Sequence, residues 1–387
     1  MRLLQYENFY VPFIESHYIA PYYKVLYFSL TDNFFSSNKS DPIYLQKVTC
    51  TSVRLFPKYL VPEFKNDTRI KIKKVRQDNV IGYAVNIKEE KNIEHFLRCK
   101  YAKKFRKSIY RSVNRFETCL KYSYRMIDHH IDFEEYSFLM DRLRCMLTFR
   151  FNERNEPNDV LHNWDYHYEL TYNLIKKKRA FIFVIYHDNT PINISINHHF
   201  NAILFISISS FDYNFSKFSL GNIAIFKIIE WSIKNNYSFI DMGYGTLEYK
   251  RLWSNYTYGY ENHIIYKKSI IPTIIATMET LKIQLKNQLK QYGIDSKITR
   301  LKSKLRKEKK SLNTYYPYIL EPYQATVIAT QNSLAIDITS NTRLVKPVME
   351  YLFLQSVHIS DISLYEITPK KEYLICGGKI AQKIIFK

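Results

Sequence analysis

Residues Phe239–Trp253 read F-I-D-M-G-Y-G-T-L-E-Y-K-R-L-W. Phe239 and Ile240 close a short apolar run of the kind that forms a buried strand. Asp241 follows at the expected strand end, where a carboxylate is costly unless it is paired or functional. Gly243 and Gly245 then permit a sharp turn and the close approach of another group. Tyr249, Lys250 and Trp253 come directly after. A carboxylate, a flexible turn, a phenol and an ammonium in so short a segment fit a site at the carboxyl end of a strand. An ordinary tight turn with a surface lysine has the same residues, so the surrounding elements have to decide.

The chain has 387 residues, enough for two domains and an appendage. Hydrophobic residues make up 46%, which excludes a disordered chain. Tyrosine (34) and phenylalanine (25) are abundant beside only 8 glycines; with many Ile, Asn and Lys this reads as genome composition and carries no functional weight. A formal net charge of +21 predicts attraction to anionic partners without choosing among them. Cys50, Cys99, Cys119, Cys145 and Cys376 are scattered with no C-x-x-C pair. They are expected as isolated, mostly buried thiols, with neither a metal site nor a disulfide framework. No run reaches the length of a membrane span and the amino terminus has no apolar signal core, so a cytoplasmic location is expected, with a peripheral place at the inner face of the membrane as its extension.

Along the chain, residues 1–20 read as an irregular aromatic arm. Strand patterns follow at Tyr23–Leu30, Ile43–Val48, Ile70–Val75 and Val80–Ile87, with Asp78-Asn79 as a hairpin turn between the last two. Lys91–Lys100 is helical in pattern. From Arg98 to Arg125 ten basic residues face one acid, and Phe105, Ile109, Val113 and Phe116 form the apolar stripe of a basic helix. Asp132 N-caps the next helix with Glu135 in the capping-box position, and Phe138, Leu139, Leu143 and Met146 are expected inward. A further helix starts at Pro157-Asn158; His162 and His167 on it are five apart and read as structural. Phe181–Tyr186, Ile192–Ile196 and Ile203–Ser209 then form an antiparallel meander. His198 and His199 follow its second strand and also read as structural. Ser216–Asn222 leads into a helix that buries Ile225, Ile228, Ile229 and Ile233. A strand, this Gly-bearing loop and a helix N-terminus make a ready anion site, because free N–H groups and the helix dipole point at a ligand there.

The order meander, Ser-x-Gly loop, long helix, strand and D-x-G-x-G-x-x-x-Y-K-x-x-W resembles the GNAT-like acyltransferase domain of the CelD/BcsL-type (BioF2-like) family, related to the FemAB transferases. The match would span residues 100–268, beginning at the basic helix Lys103–Glu117. The resemblance implies a GNAT fold, α+β with a mixed, mostly antiparallel central sheet flanked by helices. It also implies transfer of an acyl group from acetyl-CoA or another acyl-CoA to an amine or hydroxyl, without a metal. The CoA pyrophosphate would meet the main chain at Phe218, Ser219, Leu220, Gly221 and Asn222. This chain keeps only Gly221 of the glycine-rich pattern usual there. Asp241 or Glu248 would act as base or orient the acceptor, Lys250 would stabilise the oxyanion or a phosphate, and Tyr249 or Tyr244 would protonate the thiolate. FemAB relatives carry tandem GNAT units, so residues 1–99 read as a reduced first unit.

Beyond Trp253, Tyr256–Tyr266 alternates as a strand. Thr273–Leu312 is helical in pattern, with stripes Ile274, Met278, Leu281, Leu285, Leu289 and Ile294, Ile298, Leu301, Leu305 on either side of Gly293. Residues 269–313 thus read as a basic helical arm, with ten basic residues against two acids between Lys286 and Lys310. Residues 314–387 read as a small α+β extension after a Tyr/Pro-rich linker at Thr314–Pro322. Three functions remain open. The first is an acyl-CoA-dependent acyltransferase acting on a cell-envelope or polysaccharide precursor. The second is a FemAB-like transferase using aminoacyl-tRNA. The third is a non-enzymatic nucleic-acid or membrane binder on a GNAT scaffold, contacting its anionic partner through Lys103–Arg115 and Lys286–Lys310.

Overall fold

The computed structural model describes residues 3–36, 49–245, 247–292, 316–323, 334–335, 338, 341–377 and 379–387. The first part of the chain runs β1 (Gln5–Asn8), α1 (Tyr10–Ser16), β2 (Tyr23–Phe28), β3 (Phe34–Ser36), β4 (Cys50–Pro57), β5 (Leu60–Phe64) and β6 (Ile70–Asn86). Next come α2 (Ile93–Lys100), α3 (Lys103–Cys119), β7 (Tyr122–Ile127), α4 (Phe133–Arg154), α5 (Asp159–His162) and α6 (Trp164–Lys176). These lead to β8 (Ala180–His187), β9 (Thr190–Phe200), β10 (Ile203–Phe211), a 3-10 turn at Tyr213–Phe218 and α7 (Leu220–Lys234). Then follow β11 (Phe239–Tyr244), α8 (Glu248–Trp253), β12 (Tyr256–Lys267), α9 (Ile270–Gln291), β13 (Tyr318–Pro322), β14 (Leu334–Ala335), α10 (Thr342–Gln355), β15 (Ser363–Thr368), β16 (Glu372–Cys376) and β17 (Gln382–Phe386). The fold is mixed α+β. It divides into two compact units: Met1–Lys91 with His198–Ser207 and Ser232–Glu308, and Asn92–Asn197 with Ile208–Trp231 and Lys309–Lys387.

In the first unit the strand order is β1-β4-β12-β6-β11-β10. β1 lies parallel to β4 and the start of β10 parallel to β11, while β12 is antiparallel to both β4 and β6, and β11 to β6. A smaller sheet, β3-β2-β5, and α1 cover an aromatic core that includes Phe9, Phe13, Tyr23, Phe56, Phe205 and Phe239. The arm expected at residues 1–20 is therefore ordered structure: α1 buries Phe13 and Ile14. The hairpin expected at Asp78-Asn79 is absent as well. β6 continues through it, pairing with β12 before and after a register shift in which Gly259 opposes Ile81 and Tyr260 opposes Gln77. A bulge absorbs the polar residues without reversing the chain. The strand expected at Ile43–Val48 lies outside the described residues.

In the second unit β10, β9, β8 and β7 are successive neighbours, with β7 antiparallel to β8. Two-residue links with Asp188 and Asn201 at positive φ join β8 to β9 and β9 to β10, an economy open only to antiparallel neighbours. Asp132 caps α4 as expected, its side chain accepting from the Glu135 amide at 2.8 Å. Leu139, Leu143 and Met146 are buried, but Phe138 is 53% exposed and turns outward. Of the expected thiols, Cys50 and Cys119 are buried, whereas Cys99 and Cys145 are exposed. α10 packs on α3 and the 3-10 turn, where Lys217 meets Glu350 at 2.7 Å and the Arg115 guanidinium reaches the Phe353 carbonyl. The linker expected at Thr314–Pro322 holds β13, antiparallel to β17 in the sheet β13-β17-β16-β15-β14.

The two sides of α4 give a stability test. Leu139→Ala removes a fully buried side chain from a closed core and should cost about 2–5 kcal/mol in urea denaturation. Phe138→Gln on the exposed side should change stability by no more than about 0.5 kcal/mol.

Candidate functional site

Asp241 is the third residue of β11 and lies inside the strand, which runs three residues beyond it to Tyr244 rather than ending at it as expected. Its register partners are Ala84 on β6 and Phe205 on β10. The carboxylate is fully buried. Tyr59, in the β4–β5 turn, donates to Oδ2 at 2.8 Å, and Tyr258 on β12 donates to Oδ1 at 2.6 Å. The Gly243 amide donates to Oδ1 at 2.7 Å. The Tyr10 phenol from α1 lies near enough to interact with it. Burial pushes the carboxyl pKa up, against the pull of Tyr258, Gly243, Tyr10 and Tyr59. The same burial, reinforced by the Asp241 charge, drives the phenols of Tyr10, Tyr59 and Tyr258 well above their ordinary value. All three therefore stay protonated and remain donors.

Tyr258 reaches the carboxylate because its register partner on β6 is Gly82. A Cβ at Gly82 would land inside the Tyr258 ring. Tyr258 also shares a 3.0 Å hydrogen bond with Tyr260 two residues on. These tyrosines were missed in the sequence. The available signal is the alternation Tyr256, Tyr258, Tyr260, which puts three phenol-bearing rings on one face of a strand.

After Asp241 the backbone turns through Gly243 and Gly245, at φ of +69° and +128°, conformations that L side chains rarely adopt. The register against β6 shifts between Asp241 and Tyr244. This turn wraps the Lys250 ammonium. Nζ donates to the Tyr244 carbonyl at 2.7 Å, and a Cβ at Gly245 would lie 3.7 Å from it. Lys250 is only 8% exposed. Burial lowers its pKa, with the Asp241 charge pulling the other way. Asp241, Tyr244 and Lys250 thus come together. Glu248 is exposed in the first turn of α8, and Tyr249, on the same helix, is half-buried.

Tyr244 and Gly245 also line a cleft of about 960 Å³ in the first unit. Its walls include Arg54, Gln77, Asn262 and, from α9, Lys282 and Lys286. Asn262 Oδ1 and Gln77 Oε1 are buried acceptors without a hydrogen-bond partner. Such groups are expensive to leave unsatisfied and favour a ligand that donates.

Phe218, Ser219, Leu220, Gly221 and Asn222 belong to the second unit. Ser219 is left-handed at φ +60° and its carbonyl accepts from the Asn222 and Ile223 amides at 2.9 and 3.2 Å. Phe218 and Leu220 are fully buried; Phe218 packs on Phe116 and Phe353. Those two can meet a ligand through main chain alone, while Ser219, Gly221 and Asn222 are partly exposed. The expected burial of Ile225, Ile228, Ile229 and Ile233 is observed. His198 is buried with Nδ1 2.6 Å from Ser207 Oγ, and the His199 carbonyl lies 3.0 Å from His17 Nε2. Among the described residues, no three His, Cys, Asp or Glu side chains gather as a metal site, and no helix is long and apolar enough to cross a membrane.

Residues 103–251, less than half of the chain, match the family model described as an acetyltransferase (GNAT) domain. The match begins with α3 and ends in α8. No curated protein matches the chain. Solved structures similar to it include FemX, at 8% identity and TM-score 0.41, covering 58% of this chain and 73% of that one. L-PGS from Bacillus licheniformis is similar at 11% identity and TM-score 0.36, covering 60% and 72%. A tandem GNAT protein from the clavulanic acid biosynthesis pathway is similar at 8% identity and TM-score 0.29, covering 59% and 67%. Residues 103–251 are thus similar to a GNAT-type acetyltransferase domain.

Tyr258→Phe removes one donor from a buried carboxylate and should cost about 1.5–3 kcal/mol in chemical denaturation. Gly82→Ala keeps the phenol but displaces its ring, and should lose stability by a similar amount. Full stability in Gly82→Ala would show that the ring does not depend on that gap.

Proposed function

We propose that the chain is a GNAT-type acyltransferase that moves an acyl group from an acyl-CoA to an amine or hydroxyl acceptor. The observation that carries this reading is the buried Asp241–Lys250 turn opening at Tyr244 and Gly245 onto a cleft with unsatisfied acceptors, within the reach of a match to an acetyltransferase domain. The motif that resembles the CelD/BcsL type lies in this turn. A GNAT-like unit at 100–268, with residues 1–99 as a reduced first unit, an arm at 269–313 and an extension at 314–387, is the domain reading we adopt with it.

The chemistry assigned to each residue follows from its exposure. Asp241 has its oxygens occupied by phenols and an amide, so it serves as a positioning residue that fixes the Gly243–Gly245 turn. Lys250 supplies positive charge beside that turn for the developing oxyanion. The exposed Tyr244 phenol faces the cleft and is placed to give a proton to the departing thiolate. Glu248, in solvent, takes the proton released by the acceptor as its nitrogen or oxygen bonds to the acyl carbon. Tyr249 supports α8. A bound acyl thioester supplies the activated acyl carbon. Its pyrophosphate suits Ser219, Gly221 and Asn222, with Phe218 and Leu220 beside them, at the α7 start, where the positive end of the helix dipole favours an anion. The cleft's free acceptors favour an acceptor substrate rich in donors, such as the hydroxyls and amines of an envelope or polysaccharide precursor.

Asp241→Asn and Lys250→Ala should each lower kcat/KM by about 100-fold or more while leaving the fold intact. Parental turnover in both would remove these assignments. As a cation, Lys250 should support activity below its depressed pKa and lose it as pH rises through that value. The alkaline fall should therefore come below the ordinary lysine value of about 10.4, and Lys250→Arg, which cannot lose its proton, should abolish it. A thermal-shift panel of CoA thioesters tests the donor. Stabilisation follows occupancy, so a panel with no shift, together with a shift on aminoacyl-tRNA, would replace acyl-CoA by the tRNA donor.

A further inference from the structure

α9 buries the wrong face for a helix of a water-soluble surface. Towards the sheet it turns Pro272, Ala276, Glu279, Thr280, Ile283 and Asn287. Much of this face is held by hydrogen bonds. Glu279 accepts from Tyr6 at 2.9 Å and from Ser52 and Arg54 at 3.3 Å, and Asn287 donates to the Arg76 carbonyl at 2.9 Å. Outward it shows Ile271, Ile274, Met278, Leu281, Leu285 and Leu289, between 42% and 65% exposed, with Ile270 at 80%. At 3.6 residues per turn these seven fall within an arc of roughly 100°. The stripe read from the sequence is thus the solvent side of the helix.

What lies beside the stripe selects its occupant. Lys282 and Lys286 are exposed along one edge, and Lys268 is exposed just before the helix. Glu279 is the one acid of α9, and it is buried. A second copy of the chain would bring cations against cations. The downstream segment 293–313 carries an apolar stripe of its own but is as basic, so it would meet the same repulsion. An apolar stripe edged by lysines on a chain of net charge +21 is the pattern of a helix lying in an anionic lipid surface, where apolar side chains enter the interface and ammonium groups meet headgroups. We propose that the outer face of α9 docks the protein on an anionic membrane. The same two lysines, on the flank of the helix, also line the cleft, so docking would bring that cleft to a lipid surface.

Vesicle co-sedimentation with the full chain tests this. The protein should pellet with mixed phosphatidylcholine–phosphatidylglycerol vesicles, bind pure phosphatidylcholine far less, and be released by salt. Met278→Gln/Leu281→Gln/Leu285→Gln should weaken partitioning by roughly tenfold or more with an unchanged Tm. If the triple variant fails to fold, Ile274→Gln alone should still weaken it by roughly threefold. No binding by the parent chain would overturn the proposal. So would equal binding by a folded variant, or a parental dimer in light scattering that the variant breaks into monomers.

Discussion

A carboxylate in the middle of a sheet is the constraint the first unit is built around. Asp241 is withdrawn completely from water, and an isolated charge in that position is costly enough to protonate or unfold the region. It is retained because phenols from distant parts of the chain donate to it, Tyr59 between β4 and β5 and Tyr258 on β12, with the Tyr10 phenol of α1 close by. Hydrogen bonds to charged groups contribute about 1.5–3 kcal/mol each. Removing any one would leave the others with a less satisfied ion. The amino-terminal segment is thereby fastened to the strand that carries the turn, across 182 residues in the case of Tyr59.

Irregularities in the sheet follow from serving that carboxylate. Gly82 leaves a gap that the Tyr258 ring fills. Beside it, the β12–β6 register slips between Gly259 and Tyr260, and the β11–β6 register slips between Asp241 and Tyr244. Bulges re-aim side chains where a flat ladder would alternate them mechanically. Here they let Tyr258 and Tyr260 hydrogen-bond to each other and release the Tyr244–Gly245 segment into the cleft. Lys250 comes back under that segment to cap the Tyr244 carbonyl, so the ammonium and carboxylate are set by one turn.

Local signals in the sequence were readable where local physics decides. The Asp132 cap, the buried isoleucines of α7 and the alternation of β12 follow from periodicity and hydrogen bonding within a few residues; β9 is legible as a strand, but its alternation suggests a half-buried one and the structure buries Asn193, Ser195 and Asn197 as well. The Asp241–Lys250 motif was legible as a cluster, though not as a buried one. Its burial depends on Tyr10, Tyr59 and Gly82, which are remote in sequence, and the tyrosines were hidden by an overall abundance that reads as composition. Asp78-Asn79 misled in the opposite way: turn-forming residues mark a break in the ladder, and a bulge satisfies them as well as a hairpin does.

α9 shows the limit of periodicity most directly. A hydrophobic stripe states that one face of a helix wants an apolar neighbour; it does not name the neighbour. In α9 the inward face is claimed by specific polar contacts, with Glu279 gathering Tyr6, Ser52 and Arg54 and Asn287 reaching the β6 backbone. Rotating the helix to bury its large apolar residues would strand that carboxylate partners-free or expel it to water, breaking its bonds to β4 and to the β1 tyrosine. The helix is therefore held with its apolar stripe outward by a polar anchor, and a contiguous exposed patch of that kind marks an interaction surface. The same polar anchor that fixes one wall of the cleft fixes the direction in which the stripe points, so the cleft and the proposed docking face are set by one element.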